Sequence, residues 1–384
     1  MSKEEKTYLD FASTTPVAPE VVLAMRPYWS EIYANPGSIH SCGQSAIKAV
    51  DGARGIIQKF LGASSPHEII FTGSATEANN LAICGPLGYP VAKWGDKPKI
   101  ITTQIEHQSV LEPIRRLAER EQIEAVYLGV DKEGLINLEE LKSLINEDTV
   151  LVSIGHANNE IGTIQPIQEA VKIVEELNPK IIFHTDAVQA VQFLESDVQK
   201  LGVDLMTISA HKIYGPKGIG ALYVRDGIKM QPVIYGGGQE YGLRSGTENV
   251  PLMVGFAKAL EILARWKTKE NIEKIAKLRD YLWQEMQIWK RGFQVNGATG
   301  EKRLPNNLNV HIQDIDGETL IVALSEAGIC VSSGSACASR SQKPSHVINA
   351  LGGRETGANL RLTVGRPTSK ADIDLFLEKF KPLI

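Results

Sequence analysis

Lys212 is the residue of this chain best placed to do chemistry. It sits in Ser209–Gly218, Ser-Ala-His-Lys-Ile-Tyr-Gly-Pro-Lys-Gly, which closes the apolar run Asp204–Ser209 with a Gly/Pro-rich turn. In an α/β protein the loop after a strand's carboxyl end is where ligands bind. A lysine there, its amine kept neutral by its surroundings, forms a Schiff base with an aldehyde cofactor. A second apolar run, Ile181-Ile-Phe-His-Thr-Asp186, ends in a carboxylate. One strand–helix–strand crossover separates the two, so both side chains should emerge at neighbouring strand ends. Such a carboxylate is what pyridoxal phosphate needs, because its ring nitrogen must stay protonated to act as an electron sink. Taken alone, Lys212 would read as a solvated loop lysine. Asp186, with Ser209 and His211 flanking the lysine as phosphate ligands would, reverses that reading.

Other strand ends carry further polar groups. The Gly73–Thr76 turn follows the short apolar stretch Glu68–Thr72 and opens a helix, offering amides and a hydroxyl to a phosphate. His107 follows a strand ending at Thr103 and also opens a helix. Asn158-Asn-Glu-Ile-Gly162 follows the strand Val150–Ile154. Thr76, His107, Asn159, Asp186 and Lys212 therefore all come from loops at one end of one predicted sheet.

The elements behind them alternate. Helical spacing runs from Gln44 to Leu61 and stops at Gly62. Strand and helix patterns then follow in turn: Lys99–Thr103, His107–Glu121, Glu124–Leu128, Leu138–Ile145, Val150–Ile154, Ile167–Leu177, Ile181–His184, Leu205–Ser209 and Ile219–Val224. This predicts an α/β fold whose large domain has a mostly parallel sheet with helices on both faces. After Asn249 two long amphipathic helices (Leu252–Thr268, Glu270–Ile288) precede a strand Asn307–Ile312, a helix from Glu318, a strand near Leu360–Val364 and a helix Lys370–Phe380. The expected division is 14–256 for the large domain, with 1–13 and 257–384 forming a smaller α+β domain.

Composition excludes several classes. At 384 residues, with 43% hydrophobic and 22% charged residues, the chain is globular and not mainly disordered. A net charge of −4 without a basic stripe gives no case for nucleic acid. No apolar run reaches the ~18 residues of a membrane span. The charged start, Met-Ser-Lys-Glu-Glu-Lys-Thr, lacks the apolar core of a signal peptide. Cys42, Cys84, Cys330 and Cys337 are too scattered for a disulfide framework or a zinc site, and a cytoplasmic, reducing location is expected.

At these residues the chain resembles the NifS/IscS-type cysteine desulfurases, within the class V, fold-type I pyridoxal-phosphate enzymes related to aminotransferases. The likeness runs nearly end to end: Tyr8-Leu-Asp-Phe-Ala-Ser-Thr-Thr-Pro16, Asn35-Pro, Ala75-Thr-Glu77, Glu106-His107, Asn158-Asn-Glu-Ile-Gly, His184-x-Asp186-Ala-x-Gln189, Ser209-x-His211-Lys212, Arg244-Ser-Gly-Thr247, Ser332-Ser-Gly-Ser-Ala-Cys337 and Leu360-Arg361. The resemblance implies a seven-stranded large-domain sheet. It also implies that Lys212 carries pyridoxal 5′-phosphate, that Asp186 pairs with the ring nitrogen, and that His107 stacks on the ring as an acid/base. Asn159 and Gln189 would bond the phenolic oxygen. Ala75, Thr76, Ser209 and His211 would hold the phosphate, with Thr247 donated by the partner subunit of a homodimer. Arg361, with Asn35, would clamp the substrate carboxylate; an arginine fork matches a carboxylate bidentately.

Cys337 decides between reactions. It lies in a run of small and polar residues, Ser332–Ser345, expected to form a mobile, exposed loop. A thiol there is poorly placed for packing and well placed to meet a cofactor-bound sulfur. Cys84 and Cys330 have apolar neighbours and are expected in the core. The expected reaction removes sulfur from L-cysteine, giving L-alanine and a Cys337 persulfide that a sulfur acceptor, such as an iron–sulfur scaffold, then takes. Transfer requires the thiolate. The chain ends soon after Arg361, whereas housekeeping members carry a longer scaffold-docking tail, so the acceptor stays open. A selenocysteine lyase, another class V enzyme in which Cys337 is incidental, and a non-catalytic sulfur carrier are the alternatives.

Overall fold

The computed structural model describes residues 6–88, 97–289, 291–333, 345–353 and 356–384. Its strands are β1 (Thr7–Tyr8), β2 (Ile69–Thr72), β3 (Lys99–Thr103), β4 (Glu124–Leu128), β5 (Thr149–Ser153), β6 (Ile182–Asp186), β7 (Leu205–Ser209), β8 (Gly220–Val224), β9 (Gln294–Val295), β10 (Asn307–Ile312), β11 (Ile329–Cys330) and β12 (Ala358–Thr363). Among the described residues, seven of them form one sheet in the order β2-β8-β7-β6-β5-β3-β4.

Directions within this sheet decide where the chemistry lies. β3, β4, β5, β6 and β7 run parallel. β8 is antiparallel to both β7 and β2, so β2 points the same way as β7. The carboxyl ends of β2, β3, β5, β6 and β7 therefore share one edge, and β8 starts there. Crossover helices bury both faces, which is why the strands read as near-continuous apolar runs. Successive residues divide between two apolar clusters: Ile69, Phe71, Met206 and Ile208 face one, Ile70, Leu205 and Leu222 the other. The helices Ser41–Leu61, Ile167–Leu177 and Val250–Trp266 cover the first face; Ala75–Cys84 and Gln108–Glu119 cover the second.

The later part of the chain builds an antiparallel sheet β12-β10-β9, flanked by Lys269–Ile288, Gly317–Glu326 and Lys370–Phe380. β1 pairs in parallel with β11, and the bridge Asp10↔Thr363 ties the first residues to β12. The expected boundary at 256/257 falls inside the unbroken helix Val250–Trp266, which packs on Ser41–Leu61. Gly62 ends that last helix at φ +65°, as its position after Leu61 predicts.

Candidate active site

Five strand ends deliver side chains into one cavity of about 450 Å³. Thr76, His107, Asn159, Asp186 and Lys212 all line it, joined by Ala75, Gln189, Ser209, His211 and Arg361. Each is placed by a local cause. The helix Ala75–Cys84 begins where Ser74 caps it, accepting from Glu77 N at 3.2 Å. Strand register sets Ser209 opposite Gly220, and a Cβ on Gly220 would lie 2.7 Å from Ser74 C and 2.8 Å from Ala75 N. Only glycine lets the helix start approach β8, beside Ser209, this closely. The Asn158–Gly162 turn is held by Asn158 Oδ1, which accepts from Glu160 N and Ile161 N, and by Gly162 at φ +72°.

Lys212 Nζ donates to the carbonyl of Ala12 at 2.5 Å and to that of Ser13 at 2.7 Å. Gln189 Nε2 donates to the same Ala12 oxygen at 3.0 Å. Asp186 accepts at both oxygens: Oδ1 from Val188 N at 3.0 Å, Oδ2 from Asn79 Nδ2 at 2.7 Å. His211 is pushed down to about 4, first by burial and then by Lys212 and Lys217, so its ring is neutral beside Thr14. Behind Asp186, burial likewise holds His184 at about 4; its ring links Ser153 in β5 to Thr207 in β7.

Arg361 is held inside the fold. It is 1% exposed, Nη2 meets Asp10 Oδ1 at 2.8 Å and Ser13 Oγ at 2.7 Å, and Nη1 meets the Asn159 carbonyl at 3.0 Å. Among the described residues its buried Nε has no hydrogen-bond partner. A buried, unsatisfied donor on a guanidinium lining a cavity suits an incoming carboxylate.

Two expected site residues lie elsewhere. Asn35 is exposed, accepts from Gly37 N at 2.9 Å and does not line the cavity. Thr247 is also exposed and outside it. Cys337 lies outside the described residues. Cys84 and Cys330 are half-buried rather than core, and Cys42 is exposed.

Glu106 carries no signal in the sequence beyond its place before His107. Its carboxyl is buried in the cavity wall, accepting from Thr103 Oγ1 at 2.7 Å and from Gly155 N at 3.0 Å, and burial pushes it up to about 7 against those bonds. Asn79 and Ser109 carry no separate sequence signal, because a polar residue near a helix start reads as solvent-facing.

The pocket is polar at fixed points and apolar between them, the usual make-up of a cofactor site. A helix N-terminus beside a strand-end serine suits a phosphate, a carboxylate suits a ring nitrogen, and a lysine suits an aldehyde. The residues present fit pyridoxal phosphate. Among the described residues no helix is long and apolar enough to cross a membrane.

Comparison with known proteins agrees with this geometry. The family model "Aminotransferase class-V" matches residues 7–376. A cysteine desulfurase of Archaeoglobus fulgidus, IscS 1, is 45% identical over 373 residues, covering 97% of this chain and 95% of the relative. A solved NifS-like protein superposes with a TM-score of 0.90 at 38% identity, covering 98% of this chain and 99% of that one. SspA, solved in complex with cysteine, gives 0.80 at 37% identity, with 94% and 99% covered.

Proposed function

The chain belongs to the class V aminotransferase family, and from that premise we propose that it is a cysteine desulfurase. It takes the sulfur of L-cysteine, releases L-alanine and leaves a persulfide on Cys337. The observation that carries this reading is the convergence of Lys212, Asp186 and His107 with a buried Arg361 on one cavity.

Pyridoxal 5′-phosphate, when bound, supplies the electron sink for charge developing at the substrate α-carbon. The chain's residues do the rest. Asp186 would pair with the ring nitrogen and keep its proton in place. The first amides of Ala75–Cys84, with Thr76, Ser209 and His211, would hold the phosphate; Asn159 and Gln189 would bond the phenolic oxygen. Lys212 Nζ would bind the cofactor aldehyde and move a proton at the substrate α-carbon, with His107 as the second acid/base. Arg361 orients the substrate carboxylate; Asn35, exposed and outside the cavity, takes no part in this clamp within the chain. Cys337 Sγ, as thiolate, attacks the substrate sulfur: an S–S bond forms, the carbon–sulfur bond breaks, and its electron pair stays with the fragment that leaves as alanine.

Thr247 would reach the phosphate from a second copy of the chain, which accounts for its position away from this cavity and makes the working enzyme a homodimer. The persulfide passes to an acceptor protein, such as an iron–sulfur scaffold, in the cytoplasm. The test is to incubate the purified protein with L-cysteine and a thiol reductant and to quantify products. Alanine and sulfide in equal amounts, from protein showing the cofactor's absorption band, support the reading. A coloured protein that yields the keto acid and no sulfide overturns it.

A further inference from the structure

Two side chains with no part in the chemistry above connect Asp186 to His107. Asn79 is fully buried, and its Nδ2 donates to Asp186 Oδ2 at 2.7 Å and to Ser109 Oγ at 2.8 Å. Ser109, 7% exposed, meets His107 Nδ1 through its Oγ at 2.7 Å and through its backbone N at 3.1 Å.

We propose that Ser109 and Asn79 are positioning residues that fix His107 as the neutral tautomer with a bare Nδ1 and the proton on Nε2. The donors leave one consistent assignment. An amide nitrogen carries two hydrogens, and Asn79 directs one to a carboxylate oxygen and one to Ser109 Oγ. Ser109 Oγ is therefore an acceptor toward Asn79, and its single proton is left for His107 Nδ1. The backbone N–H of residue 109 points at the same nitrogen. A proton on Nδ1 would face that N–H donor and take the hydroxyl's place, so both bonds require a lone pair there. A ring held this way presents Nε2–H and keeps one orientation, as the orienting partner of a catalytic histidine does.

Other charged and titratable groups also surround His107. Glu106 precedes it, and the carbonyl of Glu106 is met by His346 Nε2 at 2.9 Å. Asp186 acts through Asn79, while Lys212, His211, Lys217 and Arg361 lie around the shared cavity. Among the described residues Asn79 Oδ1 is buried without a partner. That amide is held by its donor side, as a relay requires.

That His107 meets the cofactor rests on the function proposed above; its tautomer does not. The test labels the histidines of the cofactor-loaded enzyme with ¹⁵N and assigns His107 from a His107→Gln variant. The proposal expects Nδ1 of the wild type to resonate as an unprotonated, hydrogen-bonded ring nitrogen and Nε2 as N–H at about pH 7. In Ser109→Ala the Nδ1 resonance moves toward that of a nitrogen with fewer donors. Its kcat falls about tenfold, the scale of one lost hydrogen bond, with KM within about twofold. Ser109→Thr, which keeps the hydroxyl, restores both. A wild-type proton on Nδ1, or a Ser109→Ala enzyme with unchanged resonance and kcat, overturns the proposal. Should Ser109→Ala fail to fold, the wild-type tautomer decides alone. Absence of alanine from cysteine would remove the functional reading and leave the tautomer result standing.

Discussion

Lys212 and Gln189 reach the same acceptor: the Ala12 carbonyl lies 2.5 Å from the lysine Nζ and 3.0 Å from the glutamine Nε2. The next residue, Ser13, accepts from Lys212 through its carbonyl and from Arg361 through its hydroxyl, both at 2.7 Å. Two residues from the start of the chain thus tie the lysine of the seven-stranded sheet to the arginine of β12.

Lys212→Ala should remove the covalent anchor. After borohydride reduction the wild-type chain should gain the mass of the reduced cofactor, and the variant should not. Turnover of cysteine should fall by a factor on the order of 10³, the scale of a lost acid/base group. A variant that still gains that mass would assign the anchor to another lysine.

Arg361→Lys keeps the charge beside Asp10 but loses the planar fork. We expect KM for cysteine to rise roughly tenfold or more while kcat changes less, because a carboxylate contact is made before and during reaction alike. Arg361→Ala is a poorer test: removing one partner of a buried pair costs about 3–5 kcal/mol of stability. Steady-state kinetics of the lysine variant check this, and an unchanged KM would place the carboxylate elsewhere.

Gly220→Ala would drive a Cβ to 2.7 Å from Ser74 C and 2.8 Å from Ala75 N, backbone atoms that cannot swing aside. The helix start must shift, and with it the amides facing the phosphate. Overpacking of this kind costs about 1–3 kcal/mol. Cofactor titration should show weaker binding together with a lower Tm; tight binding at full stability would remove the helix start from the phosphate site.

Acid should destabilise the protein through its buried histidines. His156, His184 and His211 are lowered by burial from 6.5 to about 4 in the fold. Between these values the unfolded chain binds more protons, so their contribution is complete above about 6.5 and is lost as pH falls toward 4. Glu106 opposes them: raised from 4.5 to about 7, it favours the fold as pH drops through 7. Three groups against one leave a net loss. Tm measured down this range should fall, and less steeply in His184→Gln; an equal slope in that variant would remove His184 from the account.

Much of this was legible beforehand, and the failures have physical causes. β3, β4, β7 and β10, with the helices Ile167–Leu177 and Lys370–Phe380, fall at the residues that periodicity indicated. Buried parallel strands and amphipathic helices write long, regular patterns. β1, β9 and β11 are two residues each and carry no period to read. The cavity's polar strand ends were visible because each follows an apolar run. The supports were not. Asn79 and Ser109 are short polar side chains near helix starts, and Asp10 becomes the partner of Arg361 only when the chain's two ends meet at β12.

The central claim is that sulfur from L-cysteine comes to rest on Cys337. Its most direct measurement treats the cofactor-loaded enzyme with L-cysteine, traps thiols with an alkylating reagent, digests the chain and maps added sulfur by mass spectrometry. The account predicts one extra sulfur atom on the Cys337 peptide, absent in Cys337→Ser, which keeps its cofactor spectrum. Alanine formed at the wild-type rate by Cys337→Ser, or added sulfur found on Cys42, Cys84 or Cys330 instead, would contradict it.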